Sequence, residues 1–283
     1  MNRSRLTPGS KRRAARETGD RRYYVIIGVC VGVMALVGTA LAVIHPAPID
    51  PKTGCLVGHT APPASTFVLV DETDSFSRDE LAFAKTLIMT EYSWLPKGGR
   101  LTVRNIVGDP EQAEDIVVCR MDDGSNALGL VDNKRKIHQD FERIAGTRLD
   151  ELFTALRTAT PQKYSPIMES ISAVFDKASF SANIKQRRLV ILSDMAQHSP
   201  LFSQYRHHAA APKPDIASAY RKDMAGVAVR IQYIRRPTLA HIQTDAHRNF
   251  WTGYLKGMGA DVALGHNVLL GEGPGREVWN DES

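Results

Sequence analysis

Residues 66–75 read TFVLVDETDS. An apolar run that stops on an acid is the pattern of a parallel strand buried on both faces, Thr66–Asp71 here. Two residues on, Ser77-Arg-Asp-Glu80 forms a capping box, in which the serine hydroxyl and the glutamate carboxylate satisfy the first free amides of a helix. Leu81, Ala84, Leu87 and Ile88 then give that helix an apolar face as far as about Tyr92.

The same alternation continues outward. Gly98-Gly99 breaks the chain before a strand at Arg100–Val107, and Asp115–Arg120 (DIVVCR) reads as another. Helices are expected at Asn133–Ala145 and Leu149–Thr158. Ser165-Pro166 should open the next, serine as cap and proline in the first turn. Arg188–Ser193 (RLVILS) is a strand ending against Asp194, Val227–Ile234 is the next, and Asp245 should cap a helix through Met258 with Gly259 at its end. Strands alternating with helices predict an α/β fold, a doubly wound and mostly parallel sheet with helices on both faces.

Such sheets bind ligands beyond the carboxyl ends of their strands, where the strand order reverses. Asp71, Thr73 and Ser75 follow the first strand and Asp194 follows the fourth; Ser165 stands at a loop-to-helix junction between them. Carboxylates and hydroxyls gathered without cysteine or histidine suit a hard divalent cation such as Mg²⁺.

Asp71-x-Thr73-x-Ser75, Ser165-Pro-Ile-Met-Glu169 and Leu-Ser193-Asp194 together resemble the metal-ion-dependent adhesion site of von Willebrand factor A-like domains. That site has an Asp-x-Ser-x-Ser loop, a threonine before a helix, and an aspartate ending a later strand. The resemblance implies hydroxyl ligands from Thr73, Ser75 and Ser165, and Asp71 and Asp194 binding the ion directly or through water. It further implies that an acidic residue of a partner protein completes the coordination. Threonine and serine exchange places relative to the family pattern, keeping the hydroxyls, and Met195 stands where the family often has glycine. The fragments CRMDDG, SDMAQHS and NFWTGYLKGMGA resemble bacterial membrane-anchored members of the family.

Before the domain, Tyr23–Ile44 is 22 residues long without a charge, enough for a helix to cross a hydrocarbon core of about 30 Å. Residues 1–22 hold eight Lys/Arg against Glu17 and Asp20, which predicts a cytoplasmic N-terminus, a single-pass anchor at 23–44 and, in a bacterial inner membrane, a periplasmic domain. Ala40-Leu41-Ala42 has the form of a signal cleavage site, but the apolar stretch exceeds the core of a usual signal peptide. Gly28 and Gly32 offer a small-residue face on which two anchors can pack as a homodimer. The Pro-rich residues 45–65 read as a linker, leaving 66–283 as the domain. Cys55 and Cys119 both fall in the exported part and are expected to pair; Cys30 lies in the span.

Composition narrows the function classes. The net charge of +5 comes from the tail, since the rest of the chain carries 28 basic and 29 acidic side chains, so no nucleic-acid footprint is expected on the domain. No phosphate-binding glycine loop, Gly-x-Ser-x-Gly elbow or His-Glu-x-x-His motif is present. His198, His207 and His208 surround the stretch Ser199–Pro214, read as a solvated loop rather than a zinc site, and Gly271–Gly275 reads as a turn. A binding module in an envelope assembly, not an enzyme, is the expected class. The alternative is a metal-dependent phosphate-ester hydrolase using Asp71, Asp74 and Asp194.

Overall fold

The computed structural model describes residues 23–36, 38–39, 48–58, 61–71, 76–125, 133–158, 162–207 and 211–264. The basic tail, the Ala40–Ala42 motif, the Glu72–Ser75 loop, His208 and Gly271–Gly275 lie outside these residues. The chain divides into two units, Met1–Pro48 and Ile49–Ser283. In the first, residues 23–36 are helical with exposed side chains, and a methyl group added at Gly28 or Gly32 would meet nothing within 4 Å. Among the described residues no helix is long and apolar enough to cross a membrane; residues 37 and 40–44 of the expected span are outside them.

The second unit is built on six strands: β1 (Ala64–Asp71), β2 (Arg100–Ile106), β3 (Asp115–Cys119), β4 (Gln186–Ser193), β5 (Val227–Tyr233) and β6 (Asp261–Leu264). They lie in the order β3-β2-β1-β4-β5-β6. All neighbours are parallel except β2 and β3. Residues 107–114 between those two are too few to hold the crossover that a parallel partner requires, so β3 returns antiparallel. Every residue of β1 is buried, as its uninterrupted apolar run demands.

Helices cover both faces. On one, α1 (Arg78–Trp94) and α3 (Thr147–Thr158) bury Leu87, Ile88 and Leu152 against Val68, Val70, Leu101 and Val190. On the other, α4 (Ile167–Phe175) and α7 (Asp245–Lys256) bury Ile167, Ile171, Trp251 and Leu255 against Phe67, Leu69, Leu189 and Val229. This mixed, mostly parallel α/β sheet is the architecture that the A-like resemblance implies. The capping box on α1 forms as read, with Ser77 N donating to Glu80 Oε2 at 2.7 Å and Glu80 N to Ser77 Oγ at 3.2 Å. The cap of α7 is Thr244 instead of Asp245. The two helices expected at 133–158 are joined: α2 (Lys134–Phe141) passes through a π-turn, Glu142–Gly146, into α3, because nothing between them stops a helix and the wider turn absorbs Gly146. Two short helices, α5 (Gln204–His207) and α6 (Pro214–Ala219), replace part of the loop expected at 199–214.

The segment before β1 is attached to the sheet edge. Cys55 and Cys119 form a disulfide across 64 residues of sequence, and Cys119 N donates to Thr53 O at 2.8 Å. Asp50 shapes this loop by accepting from Lys52 N and Thr53 Oγ1, each at 2.8 Å. Gly54 sits at φ 73°, the left-handed region that favours glycine, and a Cβ there would press on Met121 Sδ at 2.7 Å. Closing a loop of this length should stabilise the fold by on the order of 4 kcal/mol in the chain-entropy picture. Non-reducing peptide mapping should recover Cys55 and Cys119 as one linked peptide. The paired Cys55→Ser, Cys119→Ser variant should lose about 2–5 kcal/mol in denaturant titration.

Candidate functional site

The strand order reverses between β1 and β4, which run parallel in register from Ala64↔Gln186 to Val70↔Leu192. Their carboxyl ends therefore set Asp71 beside Ser193, with Asp194 one residue beyond. Ser165 arrives from the segment entering α4 and is fixed by a two-bond bridge to His198: Ser165 N donates to His198 O at 2.8 Å and His198 N to Ser165 O at 2.9 Å. All four side chains are buried, between 0% and 4% exposed.

One carboxylate oxygen organises them. Asp71 Oδ2 accepts from Ser165 Oγ at 2.8 Å and from Ser193 Oγ at 2.7 Å. Ser193 Oγ in turn accepts from Met195 N at 2.7 Å. The Ser165 hydroxyl therefore faces the site instead of capping the helix; α4 begins at Ile167, with Pro166 as its cap residue and no side-chain cap bond. Asp194 Oδ1 accepts from Ala196 N at 2.8 Å, which curls the chain back over the strand end. Of the residues expected to ligate a metal, Asp71 and Ser165 thus touch, and Asp194 stands at the adjoining strand end. Thr73 and Ser75 lie outside the described residues.

The turn after Asp194 carries Met195 at φ 60°, the left-handed region that glycine normally occupies. Two interactions hold the methionine there. Its side chain is fully buried in the core under α4 and α7, and its carbonyl accepts from Trp251 Nε1 at 2.8 Å and His247 Nε2 at 3.0 Å. His247 Nδ1 lies 2.6 Å from the Tyr233 hydroxyl and Nε2 lies 2.9 Å from Gln204 Oε1. The consistent tautomer is neutral: Nε2–H donates to the two oxygens and Nδ1 accepts from Tyr233. Burial pushes the His247 pKa down to about 4, only partly opposed by the Met195 carbonyl. Burial, and next the Asp194 charge, raise the Tyr233 phenol well above its ordinary value, so it remains a donor.

Three buried glutamines complete the frame, and sequence reasoning missed them together with Ser193 and His247. Gln197 Oε1 accepts from Met168 N at 2.9 Å, and its Nε2 donates to Glu169 Oε2 at 2.9 Å, tying the turn to the start of α4. Gln204 Oε1 accepts from Gln197 N at 2.8 Å. Gln243 Nε2 donates to Asp194 O at 3.0 Å and to Ile234 O at 2.7 Å. The signal for His247 was available, since it shares the buried face of α7 with Trp251, Tyr254 and Leu255.

Chemically this is an all-oxygen cluster of two carboxylates and two hydroxyls, the donor set of a hard cation. Among the described residues no group of three His, Cys, Asp or Glu comes together as a metal site, so any cation here would depend on hydroxyls and on the 72–75 loop. His198 sits between the Tyr164 and Tyr205 rings with Nδ1 2.9 Å from Ser203 Oγ. Burial first, then Arg206 and Lys163, lower its pKa.

No protein family matches the sequence, and no curated protein does. Among solved structures the chain is similar to the conserved hypothetical protein BatB from Bacteroides thetaiotaomicron, at 14% identity and a TM-score of 0.35, covering 62% of this chain and 68% of that one. It is similar to an aerotolerance-related membrane protein from Bacteroides fragilis at 14% and 0.33, covering 60% and 66%. A von Willebrand factor type A protein from Catenulispora acidiphila follows at 11% and 0.39, covering 71% of this chain and 38% of that one. Similarity at this level carries no activity or partner with it; those have to come from the chain's own geometry.

His247 gives a pH signature. Its folded pKa, about 4, lies below the unfolded value of about 6.5. Between those values the unfolded chain binds the extra proton, so this contribution is complete above the unfolded value and is lost as pH falls toward the folded one. The loss should reach on the order of 3 kcal/mol. Chemical denaturation of wild type and His247→Gln should show their stability difference shrinking by that amount from pH 7 to pH 4; a constant difference would mean His247 is not buried neutral.

Proposed function

We propose that the chain is a membrane-anchored module that captures a protein partner at the Asp71–Asp194 cluster, as a component of an envelope assembly. The observation that carries this reading is the convergence of Ser165 and Ser193 on Asp71 Oδ2 at the strand-order reversal. Three distant segments are spent on holding a buried carboxylate at the one sheet position where such folds bind ligands. The donors fit Mg²⁺ or a similar ion, with Asp71, Ser165 and Asp194 as holders from the described residues and Thr73 and Ser75 from the adjoining loop. When bound, such an ion would offset the repulsion among the acids and offer a coordination position to a partner's carboxylate, as the A-like resemblance implies.

The proposed location is a bacterial inner membrane, with residues 23–44 spanning it, the N-terminus cytoplasmic and the domain periplasmic. Its support is the charge-free stretch behind a basic tail together with the Cys55–Cys119 disulfide, a bond that persists in oxidising compartments. Gly28 and Gly32 provide the proposed face for anchor pairing.

The metal reading has a direct test. Mg²⁺ at about 100-fold above its dissociation constant should stabilise wild type by ~2.7 kcal/mol. Asp71→Asn and Asp71→Ala should lose that response and weaken partner capture from membranes, read by mass spectrometry of what co-purifies. A wild type whose melting temperature ignores Mg²⁺, Mn²⁺ and Ca²⁺ would remove the cation from the proposal. Mg²⁺- or Mn²⁺-dependent hydrolysis of a generic phosphate ester, lost in the same variants, would instead establish the enzyme alternative.

Topology is tested separately. A reporter fused after Ser283 should be active outside the cytoplasm, and the purified protein should retain residues 1–44. A protein beginning at Val43 would show cleavage after Ala42 and refute the anchor.

A further inference from the structure

The opposite end of the same sheet carries a second polar cluster, of opposite charge. Ser65, the second residue of β1, is paired across the sheet with Arg100 of β2 on one side and Arg187 of β4 on the other. One step further along, Thr102 faces Phe67. Residues two apart on a strand share a face, and Phe67 and Leu189 belong to the core under α4 and α7, so Arg100, Ser65, Arg187 and Thr102 all project from that face. Neighbouring strands lie about 4.8 Å apart, which makes Arg100, Ser65 and Arg187 a short row with the serine in the middle.

These groups are buried and short of partners. Ser65 and Thr102 are each 1% exposed and Arg187 is 8% exposed. Ser65 Oγ, Thr102 Oγ1, Arg100 Nε and Arg187 Nε are buried without a hydrogen-bond partner among the described residues. Arg187 is oriented by its Nη2, which donates to Ala225 O at 2.6 Å. Arg104, next along the same face of β2, is engaged with Asp115 through Nε at 2.6 Å, yet its Nη1 is also unpartnered. Most unpartnered buried polar atoms among the described residues fall in this one patch; a scatter of local misfits would not concentrate so. A buried donor without an acceptor costs about 1–3 kcal/mol, and such a group in a native fold calls for an explanation, an ion or water among them.

Charge separates an ion from a water. Among the described residues, Asp115 is the carboxylate that the ion pairs give to this corner, and it is shared between Arg104 Nη2 at 2.5 Å and Lys177 Nζ at 3.5 Å. Arg100 feels the same carboxylate, and burial still holds its guanidinium below the ordinary pKa. Among the described residues, the hydrogen bond that Arg187 makes is to the Ala225 carbonyl. Water would satisfy the hydroxyls and leave this excess positive charge in place, whereas an anion answers both needs. Guanidinium and hydroxyl donors with no metal-type ligand select oxygen acceptors bearing negative charge.

We propose that this patch binds a small oxyanion of the phosphate or sulfate class, held between the Arg100 and Arg187 guanidiniums with the Ser65 and Thr102 hydroxyls donating from the sheet. Phe67, with the Arg104 guanidinium over its ring and Phe180 against it, walls the inner end. Arg100, at the half-buried outer end, is the side from which the ion enters.

The test is a thermal-shift titration of the full-length chain in detergent, with inorganic phosphate against sodium chloride at matched ionic strength. Phosphate should raise the wild-type Tm by at least about 2 °C at saturation, and chloride should not. Thr102→Val and Ser65→Ala each remove an orphan hydroxyl, so in chloride they should melt at or above the wild-type temperature while losing the phosphate increment. Arg100→Gln should raise the half-saturating phosphate concentration at least tenfold. Sulfate should act as phosphate does, and acetate less. An increment equal in chloride, or retained in both hydroxyl variants, would mean general stabilisation by an excluded salt and overturns the proposal. A drop in the chloride Tm of both hydroxyl variants would show the hydroxyls already satisfied and overturns it equally.

Discussion

Asp71 Oδ2 is the acceptor on which the upper end of the domain depends. Its two donors lie 94 and 122 residues away in sequence, and no local structure can bring them together. A buried carboxylate without compensation is costly, so the arrangement is stable only if both serines arrive. That requirement translates into topology. Ser193 reaches Asp71 only when β4 is the parallel neighbour of β1, and Ser165 only when α4 enters from the same end. The strand order and the site are therefore one constraint, seen once in the backbone and once in the side chains.

A second tier of interactions holds the Asp194 turn. Met195 adopts a backbone conformation that few non-glycine residues take, which the surrounding structure has to over-determine. It does so from three directions: the methionine side chain in the core, His247 and Trp251 on its carbonyl, and Gln243 on the carbonyl of Asp194. Helix α7 therefore helps to position Asp194 through the carbonyl of the next residue, Met195. Glycine would make this turn without strain; here packing holds a methionine in it.

What the sequence revealed follows from which physical signals are local. Asp71 and Asp194 were legible because each ends an apolar run, and the capping box at Ser77–Glu80 because its two bonds span four residues. Ser193 was hidden, being read as the polar tail of a strand when its hydroxyl is the link between Asp71 and Met195. Ser165 was read both as a helix cap and as a ligand, and the capping role gave way to a tertiary bond to Asp71. Gln197, Gln204 and Gln243 had no signal at all, since a neutral amide has no periodicity until its partners are known. The antiparallel direction of β3 was not read, although the short connection before it carries the signal. The four-residue β6 was not read either, because so short a run lacks a pattern of its own.

The two ends of β1 also show why opposite charges can be built around one strand without cancelling: Asp71 ends it, and Arg100 and Arg187 flank its other end from β2 and β4. Ser65 and Asp71 are six residues apart, about 20 Å along an extended chain. At an effective dielectric constant of about 20, unit charges at that distance interact by about 0.8 kcal/mol, less than a tenfold change in an equilibrium constant. An anion beside Arg100 and a cation beside Asp71 would therefore bind almost independently as far as charge is concerned. Any stronger coupling would have to be mechanical, passing through a shared rigid element. β1 is that element, since it is buried along its whole length and bonded to a neighbour on both sides. A strand so constrained transmits displacement poorly because it has few alternative arrangements.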